Sequence, residues 1–137
     1  MPVADYATCS RMLARTGGSR FAHPVIKVTS PVVAKSVIKG LAASGKCETI
    51  QVFSGGEAFV SGPAVRDMAF GAISSVECVQ RMVKHSNVYV ALHADHCQPK
   101  NPDKFLLPPV HENERRRQAG VSSLSNNPMS DGSGIRS

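Results

Sequence analysis

The stretch VYVALHADHC, residues 88–97, indicates the fold more directly than any other part of the sequence. It begins with the residues of a buried strand and leads at once into two histidines, a carboxylate and a thiol. Polar side chains at the end of a buried strand cost free energy unless they have partners there. In parallel α/β proteins functional groups gather where strands end, because the rigid sheet positions them. The stretch therefore predicts a strand over residues 87–92 with a functional site directly after it.

Two earlier segments, residues 21–28 and 48–53, also have the composition of strands. All three segments are continuously apolar rather than alternating, and helical patterns separate them. Strands of this kind are buried on both faces, which is typical of parallel sheets covered by helices. The sequence therefore predicts an α/β fold built from parallel βα units.

The helix after the first predicted strand has the clearest boundaries in the chain. Ser30 can cap the free amides, Pro31 suits the first helical position, and Gly45 is placed to end the helix. One face of this helix carries Val33, Val37, Ile38 and Leu41.

Two other helices are predicted from spacing alone. A short one over residues 4–15 would use Tyr6, Met12 and Leu13 as its apolar contacts. A longer one begins at Pro63 and runs to Val83, after a glycine-rich loop with the sequence SGGEAF.

Composition and charge set the broad class of the protein. A chain of 137 residues that is 42% hydrophobic supports one modest core, and a net charge of +6 fits an anionic partner such as nucleic acid, a membrane surface or a phosphorylated metabolite. The first residues, MPVADYATC, lack the basic start and apolar core of a secretory signal. The sequence has no apolar run of the roughly 20 residues that span a bilayer and no CxxC pair among the four cysteines. These features predict a soluble cytoplasmic protein with free thiols and no membrane partner.

The pattern of strands and helices weakens after residue 98. Four prolines between residues 99 and 109 interrupt any long helix there, and the chain from Gln118 onward is rich in Ser, Asn and Gly. We therefore expect the folded domain to cover residues 1–110, followed by a poorly ordered tail, basic at first, over residues 111–137. The basic run Arg115–Arg117 in that tail has no interleaved aromatic residues, which argues against nucleic acid as a partner.

Polar residues at the ends of the three strands would meet at one rim of the sheet. The strands deliver Lys27, the loop Ser54-Gly55-Gly56, and the group His93, Asp95 and His96. Imidazole and carboxylate groups are zinc ligands, and an adjacent Asp can orient a ligand or donate a proton, but a catalytic zinc needs about three protein ligands. The alternative is that both histidines are ordinary loop residues bonded to the backbone.

The remaining candidates each have two interpretations. The glycines of SGGEAF would let backbone amides approach a phosphate, or they would serve a tight turn. Lys27 would form a Schiff base if desolvation lowered its pKa, or it would simply reach solvent. His23 lies between two apolar stretches and is predicted to be a hydrogen-bonded structural residue rather than a ligand.

Several of these segments together resemble a known family. The segment QVFSGGEAFVSGPAVRDMAFGAI, residues 51–73, followed by VYVALHADHC, is similar to the N-terminal part of class II, zinc-dependent fructose-bisphosphate aldolases. MPVADYATCSRML at the start, TSPVVAKSVIKGLAASG at residues 29–45 and NPMSDGS at residues 127–133 also fit the family's pattern. The resemblance extends over nearly the whole chain.

The resemblance implies the first, incomplete half of a TIM (β/α)8 barrel over residues 1–110. It implies reversible cleavage of fructose 1,6-bisphosphate to dihydroxyacetone phosphate and glyceraldehyde 3-phosphate, in a homo-oligomer. Matched by position, Asp95 would be the acid/base that exchanges a proton with the C4 oxygen. The metal-binding residues would be His96 and Asp131, and the substrate-binding residues would be Ser54, Gly55 and Gly56. The implied cofactor is zinc, with room for a second divalent or monovalent cation.

The chain also departs from the family's pattern. Lys27 stands where the family has a substrate-contacting Asn, Phe53 where it has the phosphate-loop Ser, and Pro128 where it has a His. A barrel of this type needs roughly 250 residues, and the family's other zinc ligands, a Glu and two His, lie farther downstream. We therefore expect a truncated or decaying aldolase sequence. The alternative function is a catalytically inactive remnant that binds a phosphorylated ligand or a partner, and a third, weaker hypothesis is an RNA-binding half-barrel that uses Arg115–Arg117.

Overall fold

The computed structural model describes residues 3–17, 21–97 and 101–125, together with the backbone of 127–130. The helices are α1 Tyr6–Gly17, α2 Pro31–Ser44, α3 Ser54–Val60, α4 Met68–Val83 and α5 Leu107–Gln118, with a π-helical turn at Pro102–Leu106. The strands are β1 Val25–Lys27, β2 Glu48–Val52, β3 Val90–Cys97 and β4 Asn127–Ser130.

The strands form one sheet in the order β1-β2-β3-β4, and every neighbouring pair is parallel. Ile26 of β1 is paired with Ile50 of β2, and Ile50 is paired with Leu92 of β3, so these three residues lie side by side across the sheet. The parallel βα units predicted from the sequence are therefore confirmed, and β4 adds a fourth strand that the sequence did not indicate.

Helices α2 and α4 pack on one face of this sheet and form the hydrophobic core there. β-strand residues alternate between the two faces, so Ile50 and Val52 lie on the helix side, whereas Gln51 between them lies on the other side. The core joins alternate residues of β2 and β3 to buried residues of α2 and α4, namely Ile50, Val52, Val90, Leu92, Ala34, Ile38, Leu41, Ala72, Val76, Val79 and Val83. The opposite face is free to carry polar groups.

Helix α2 has the ends that its sequence predicts. Ser30 is extended, and its Oγ accepts a hydrogen bond from the amide of Val33 at 3.2 Å. Pro31 occupies the first turn, and Gly45 ends the helix with a φ of 65°, the left-handed conformation that glycine adopts without strain.

Strand β3 is longer at its carboxyl end than the sequence predicts, because it runs to Cys97 rather than ending at residue 92. Its neighbour β2 pairs with it as far as Ala94, and β4 pairs with it on the other side from His93 to Cys97, with a register irregularity between Ala94 and Cys97. The predicted site group is therefore part of the strand and not of a loop after it.

Residues 54–83 form two helices where one loop and one long helix were predicted. The glycine-rich segment is the short helix α3, and α4 begins at Met68 rather than Pro63. Gly62 and Arg66, with φ values of 95° and 48°, interrupt the helical path between them. Asp67 then starts α4, because its carboxylate accepts hydrogen bonds from the amides of Ala69 and Phe70, each at 2.9 Å.

Helix α1 forms as predicted, but its contacts differ from those expected. Tyr6 is 77% exposed and Leu13 is 52% exposed, so neither side chain is a core contact. His23 instead links this helix to the sheet, with Nε2 2.9 Å from the carbonyl oxygen of Met12 and Nδ1 3.1 Å from Glu48 Oε2. The structural role predicted for His23 is confirmed.

The chain after residue 100 contributes more to the packing than its prolines indicate. Pro108 and Pro109 lie in the first turn of α5, where their missing amide protons are not needed. Helix α5 crosses the expected domain boundary at residue 110, and Phe105 and Leu124 on either side of it are each 1% exposed. Within the described part of the chain, no helix is both long enough and apolar enough to cross a membrane.

Candidate functional site

A polar cluster crosses three strands on the sheet face opposite the helices. The strand register pairs Lys27 of β1 with Gln51 of β2, and Gln51 with His93 of β3. Asp95 follows His93 by two residues, so both side chains start from the same face of β3. We call Lys27, Gln51, His93 and Asp95 the polar row.

Direct contacts join the members of the polar row around the carboxylate. Lys27 Nζ lies 2.5 Å from Asp95 Oδ2, and Gln51 Nε2 donates to Asp95 Oδ1 at 2.8 Å. Gln51 Nε2 also lies 3.0 Å from Nδ1 of His93. Both oxygens of the buried Asp95 carboxylate are therefore bound, one by a cation and one by an amide.

These contacts keep Asp95 ionised. Burial acts to raise the pKa of Asp95, but the hydrogen bond and charge of Lys27, together with the backbone amide and charge of His96, lower it below its ordinary value. Burial lowers the pKa of His93, opposed by the charge of Asp95 and assisted by that of His96, so His93 is a neutral imidazole. The polar row therefore places the anionic Asp95 carboxylate, which can accept a proton, near the neutral imidazole ring of His93.

Of the two predicted metal residues, His96 and Asp131, the structure describes His96 alone. His96 follows Asp95 directly, its side chain is 59% exposed, and its Nε2 lies 4.0 Å from Asp95 Oδ1. Asp131 lies outside the described residues. Across the ranges that the structure describes, no three His, Cys, Asp or Glu side chains are grouped so that they could hold a metal ion. The described residues do not by themselves fit a divalent metal that takes about three protein ligands.

The predicted substrate-binding residues lie next to the polar row, in the first turn of α3. The Phe53 ring packs over Gly56, where a Cβ atom would lie 2.7 Å from Cε1 of the ring. Lys27 Nζ lies 5.3 Å from the centre of the same ring. Phe53 therefore joins Lys27 to the segment Ser54-Gly55-Gly56 and covers one side of its backbone.

Two polar residues with strong structural contacts were missed from the sequence. Gln51 lies inside a strand, and its signal was a single amide within the otherwise apolar segment IQVF. Glu57 of α3 is completely buried, and its Oε2 accepts a hydrogen bond from Ser75 Oγ of α4 at 2.6 Å. Its Oε1 has no hydrogen-bond partner among the described residues, and burial raises the pKa of Glu57 to about 7.

Comparison with known proteins places this geometry in a family context. The family model for class II fructose-bisphosphate aldolase matches residues 7–136. Relatives called fructose-bisphosphate aldolase include one from Streptomyces coelicolor, 33% identical over 133 residues, and one from Mycobacterium leprae, 34% identical over 135 residues. These alignments cover 97% and 98% of this chain, and the chain spans 39% of the length of each relative.

A solved structure gives the same result for the fold. The crystal structure of a fructose-bisphosphate aldolase from Campylobacter jejuni superposes with a TM-score of 0.88 at 23% identity, over 96% of this chain and 39% of that one. The parallel βα arrangement is therefore that of part of a TIM barrel, as expected from the sequence.

Proposed function

The chain belongs to the class II fructose-bisphosphate aldolase family, and we propose that it carries the proton-transfer group of a lyase that reversibly cleaves fructose 1,6-bisphosphate. The products would be dihydroxyacetone phosphate and glyceraldehyde 3-phosphate, formed in the cytoplasm. One observation carries this proposal: the buried Asp95 carboxylate is bound by Lys27 and Gln51 on the sheet face opposite the helices, and its pKa is lowered by Lys27 and His96. The family implies a metal dependence, with zinc as the proposed ion.

The proposed chemistry of Asp95 follows from its charge and its surroundings. Cleavage of the bond between C3 and C4 of the sugar requires the C4 hydroxyl to lose a proton while the bond breaks. C4 becomes the aldehyde carbon, and the electron pair of the bond passes to C3 and the neighbouring C2 carbonyl, after which C3 takes up a proton. A carboxylate with a lowered pKa is ionised at neutral pH and can accept that proton, then return it in the reverse condensation. Gln51 and Lys27 hold the carboxylate in a fixed orientation. The described residues do not complete the ligand set of a metal ion.

Replacing Asp95 by asparagine tests this proposal. The substitution keeps the size of the side chain but removes the proton acceptor, so we expect triose-phosphate release from fructose 1,6-bisphosphate to fall about a hundredfold or more. The assay uses the purified chain with added zinc. The control is Asp103→Asn, which neutralises an exposed carboxylate away from the polar row and should leave the rate unchanged. Absence of turnover in the unsubstituted chain, or full activity of Asp95→Asn, would contradict the lyase proposal.

The alternative is a catalytically inactive protein that binds a phosphorylated ligand, and one contact favours it. The Lys27 ammonium is bound directly to the Asp95 carboxylate, at the strand end where the family has an uncharged Asn. The Lys27 side chain is 53% exposed, so it supplies a positive charge beside Ser54-Gly55-Gly56 without any metal ion.

Replacing Lys27 by methionine distinguishes the two functions. If the chain is a binding protein, fructose 1,6-bisphosphate should bind in the presence of a chelator, and Lys27→Met should weaken that binding about tenfold by removing a charge-assisted contact. Asp95→Asn should leave the binding in place. Isothermal titration calorimetry measures all three proteins. A wild-type chain that binds no ligand under chelation would rule out the binding function.

A further inference from the structure

A basic cavity lies near the opposite end of the sheet from the polar row. It has a volume of about 170 Å³ and is formed by the second half of α4, by Arg116 of α5 and by the segment after α5. Val3 lines it and forms a bridge with Val90, the first residue of β3. Asp95 is farther along the same strand by roughly 17 Å, at about 3.3 Å per residue. The cavity and the polar row are therefore separate sites.

Three cationic side chains line this cavity, Arg81, Lys84 and Arg116. The one acidic side chain in the lining is Glu77, and its carboxylate is bound to Nη2 of Arg116. Considering only residues that the structure describes, Arg81 and Lys84 form no ion pair. The lining thus has an excess of positive charge.

The third cation, Arg116, is fixed in place before any ligand arrives. Its side chain is 11% exposed, and its Nε donates to Glu112 Oε1 at 2.8 Å while Nη2 donates to Glu77. Hydrogen bonds from Arg115 and Arg116 lower the pKa of Glu112 to about 2, so this anchor stays charged at all ordinary pH values. Neither bond uses Nη1 of Arg116. A guanidinium held in this way loses little conformational entropy when it binds an anion.

The segment after α5, which forms the cavity wall opposite α4, is also held in place. Gln80 Nε2 donates to the carbonyl oxygens of Ser123 and Leu124, at 2.7 and 3.0 Å. Leu124 is 1% exposed and belongs to the hydrophobic core, so the segment after α5 is anchored at the cavity. The cavity is therefore a built feature of the packing between α4, α5 and this segment.

We propose that this cavity is an anion site for a small phosphate-bearing ligand, bound by Arg81, Lys84 and Arg116. Guanidinium groups bind phosphate oxygens with paired hydrogen bonds, and an ammonium adds a third charge-assisted contact. The volume accommodates several water-sized groups, at about 30 Å³ per water. The site lies outside the proposed catalytic row and goes beyond the proposed aldolase function.

A double substitution of the two exposed cations tests the proposal. Titration calorimetry at constant ionic strength, with inorganic phosphate and then pyrophosphate as probes, should show that Arg81→Gln with Lys84→Gln weakens binding about tenfold or more. The matched control, Lys35→Gln with Lys39→Gln on the exposed side of α2, makes the same change in net charge. This control should weaken binding by less than about twofold, because screened charges at a distance contribute little.

Two further measurements distinguish phosphate binding at the cavity from binding at the polar row and from a role in helix stability. Lys27→Met removes only phosphate bound at the polar row, so phosphate binding that persists in Lys27→Met and is lost in Arg81→Gln with Lys84→Gln belongs to the cavity. Arg81 and Lys84 also suit the C-terminal end of α4, where cations stabilise the helix. A purely helix-stabilising role would lower the melting temperature of the double variant without changing its affinity for phosphate. That outcome, equal weakening in the control, or no phosphate binding by the wild-type chain would each overturn the proposal.

Discussion

Replacing Gly71 by alanine should destabilise the fold by about 3 kcal/mol or more, because there is no space for one additional methyl group. Gly71 lies in the first turn of α4, and a Cβ atom there would overlap the backbone oxygen of Glu57 and lie 2.7 Å from its carbonyl carbon. Backbone atoms cannot rotate away as the end of a side chain can. Helices α3 and α4 would have to separate, which would loosen the packing around the buried Glu57 carboxyl.

Urea unfolding measures this effect, and Gly40→Ala provides the control. Gly40 lies in α2, is exposed, and has no atom within 4 Å of a Cβ placed on it. Alanine favours a helix over glycine by about 1 kcal/mol, so Gly40→Ala should be neutral or stabilising. If both alanine variants unfold at the same urea concentration as the wild type, the close approach of α3 to α4 is wrong.

The elements that the sequence predicts well are those whose determinants are local. The cap at Ser30, the proline at position 31 and the end at Gly45 are neighbours in the chain, so α2 was predicted with both ends correct. The division of residues 54–83 into α3 and α4 depends instead on packing. A glycine such as Gly71 shows its importance only when the helix beside it is known.

The candidate site divides in the same way. Asp95 and His96 come from one stretch of sequence, so their proximity follows from the chain itself. The contact between Lys27 and Asp95 depends on the order and register of the strands. The sequence predicted only that both residues lie toward the same end of the sheet. Gln51 was missed because its hydrogen bond to Asp95 spans two paired strands. The catalytic, metal and substrate roles assigned to these residues stay predictions.

Glu57 was missed for a further reason, which is that a charged residue in a glycine-rich segment normally faces water. In the structure it is completely buried between α3 and α4, bound to Ser75, and burial raises its pKa from an ordinary 4.5 to about 7. The folded chain therefore holds this proton more tightly than the unfolded chain does. The resulting stability is fully present below pH 4.5 and is lost as the pH rises through about 7.

Replacing Glu57 by glutamine should remove this pH dependence. At 1.36 kcal/mol per pKa unit, the wild type should lose about 3 kcal/mol relative to Glu57→Gln between pH 4.5 and pH 9. Glutamine keeps an oxygen that can accept the hydrogen bond from Ser75, but its buried amide NH2 group has no partner. At low pH the Glu57→Gln variant should therefore be less stable than the wild type by about 1–3 kcal/mol. The difference in the free energy of unfolding between the wild type and Glu57→Gln therefore changes with pH. Other groups that gain or lose charge are the same in both proteins and do not affect this difference.

The free energy of unfolding of each protein, measured in urea at several pH values, gives this difference directly, since the contributions of all residues that the two proteins share cancel. Glu114→Gln is the matched control, because Glu114 is exposed and its hydrogen bonds from Arg117 and Gln118 lower its pKa. Its stability curve should run parallel to that of the wild type over this pH range. A parallel curve for Glu57→Gln as well would mean that the Glu57 carboxyl is ionised and solvated, which is incompatible with its burial between α3 and α4.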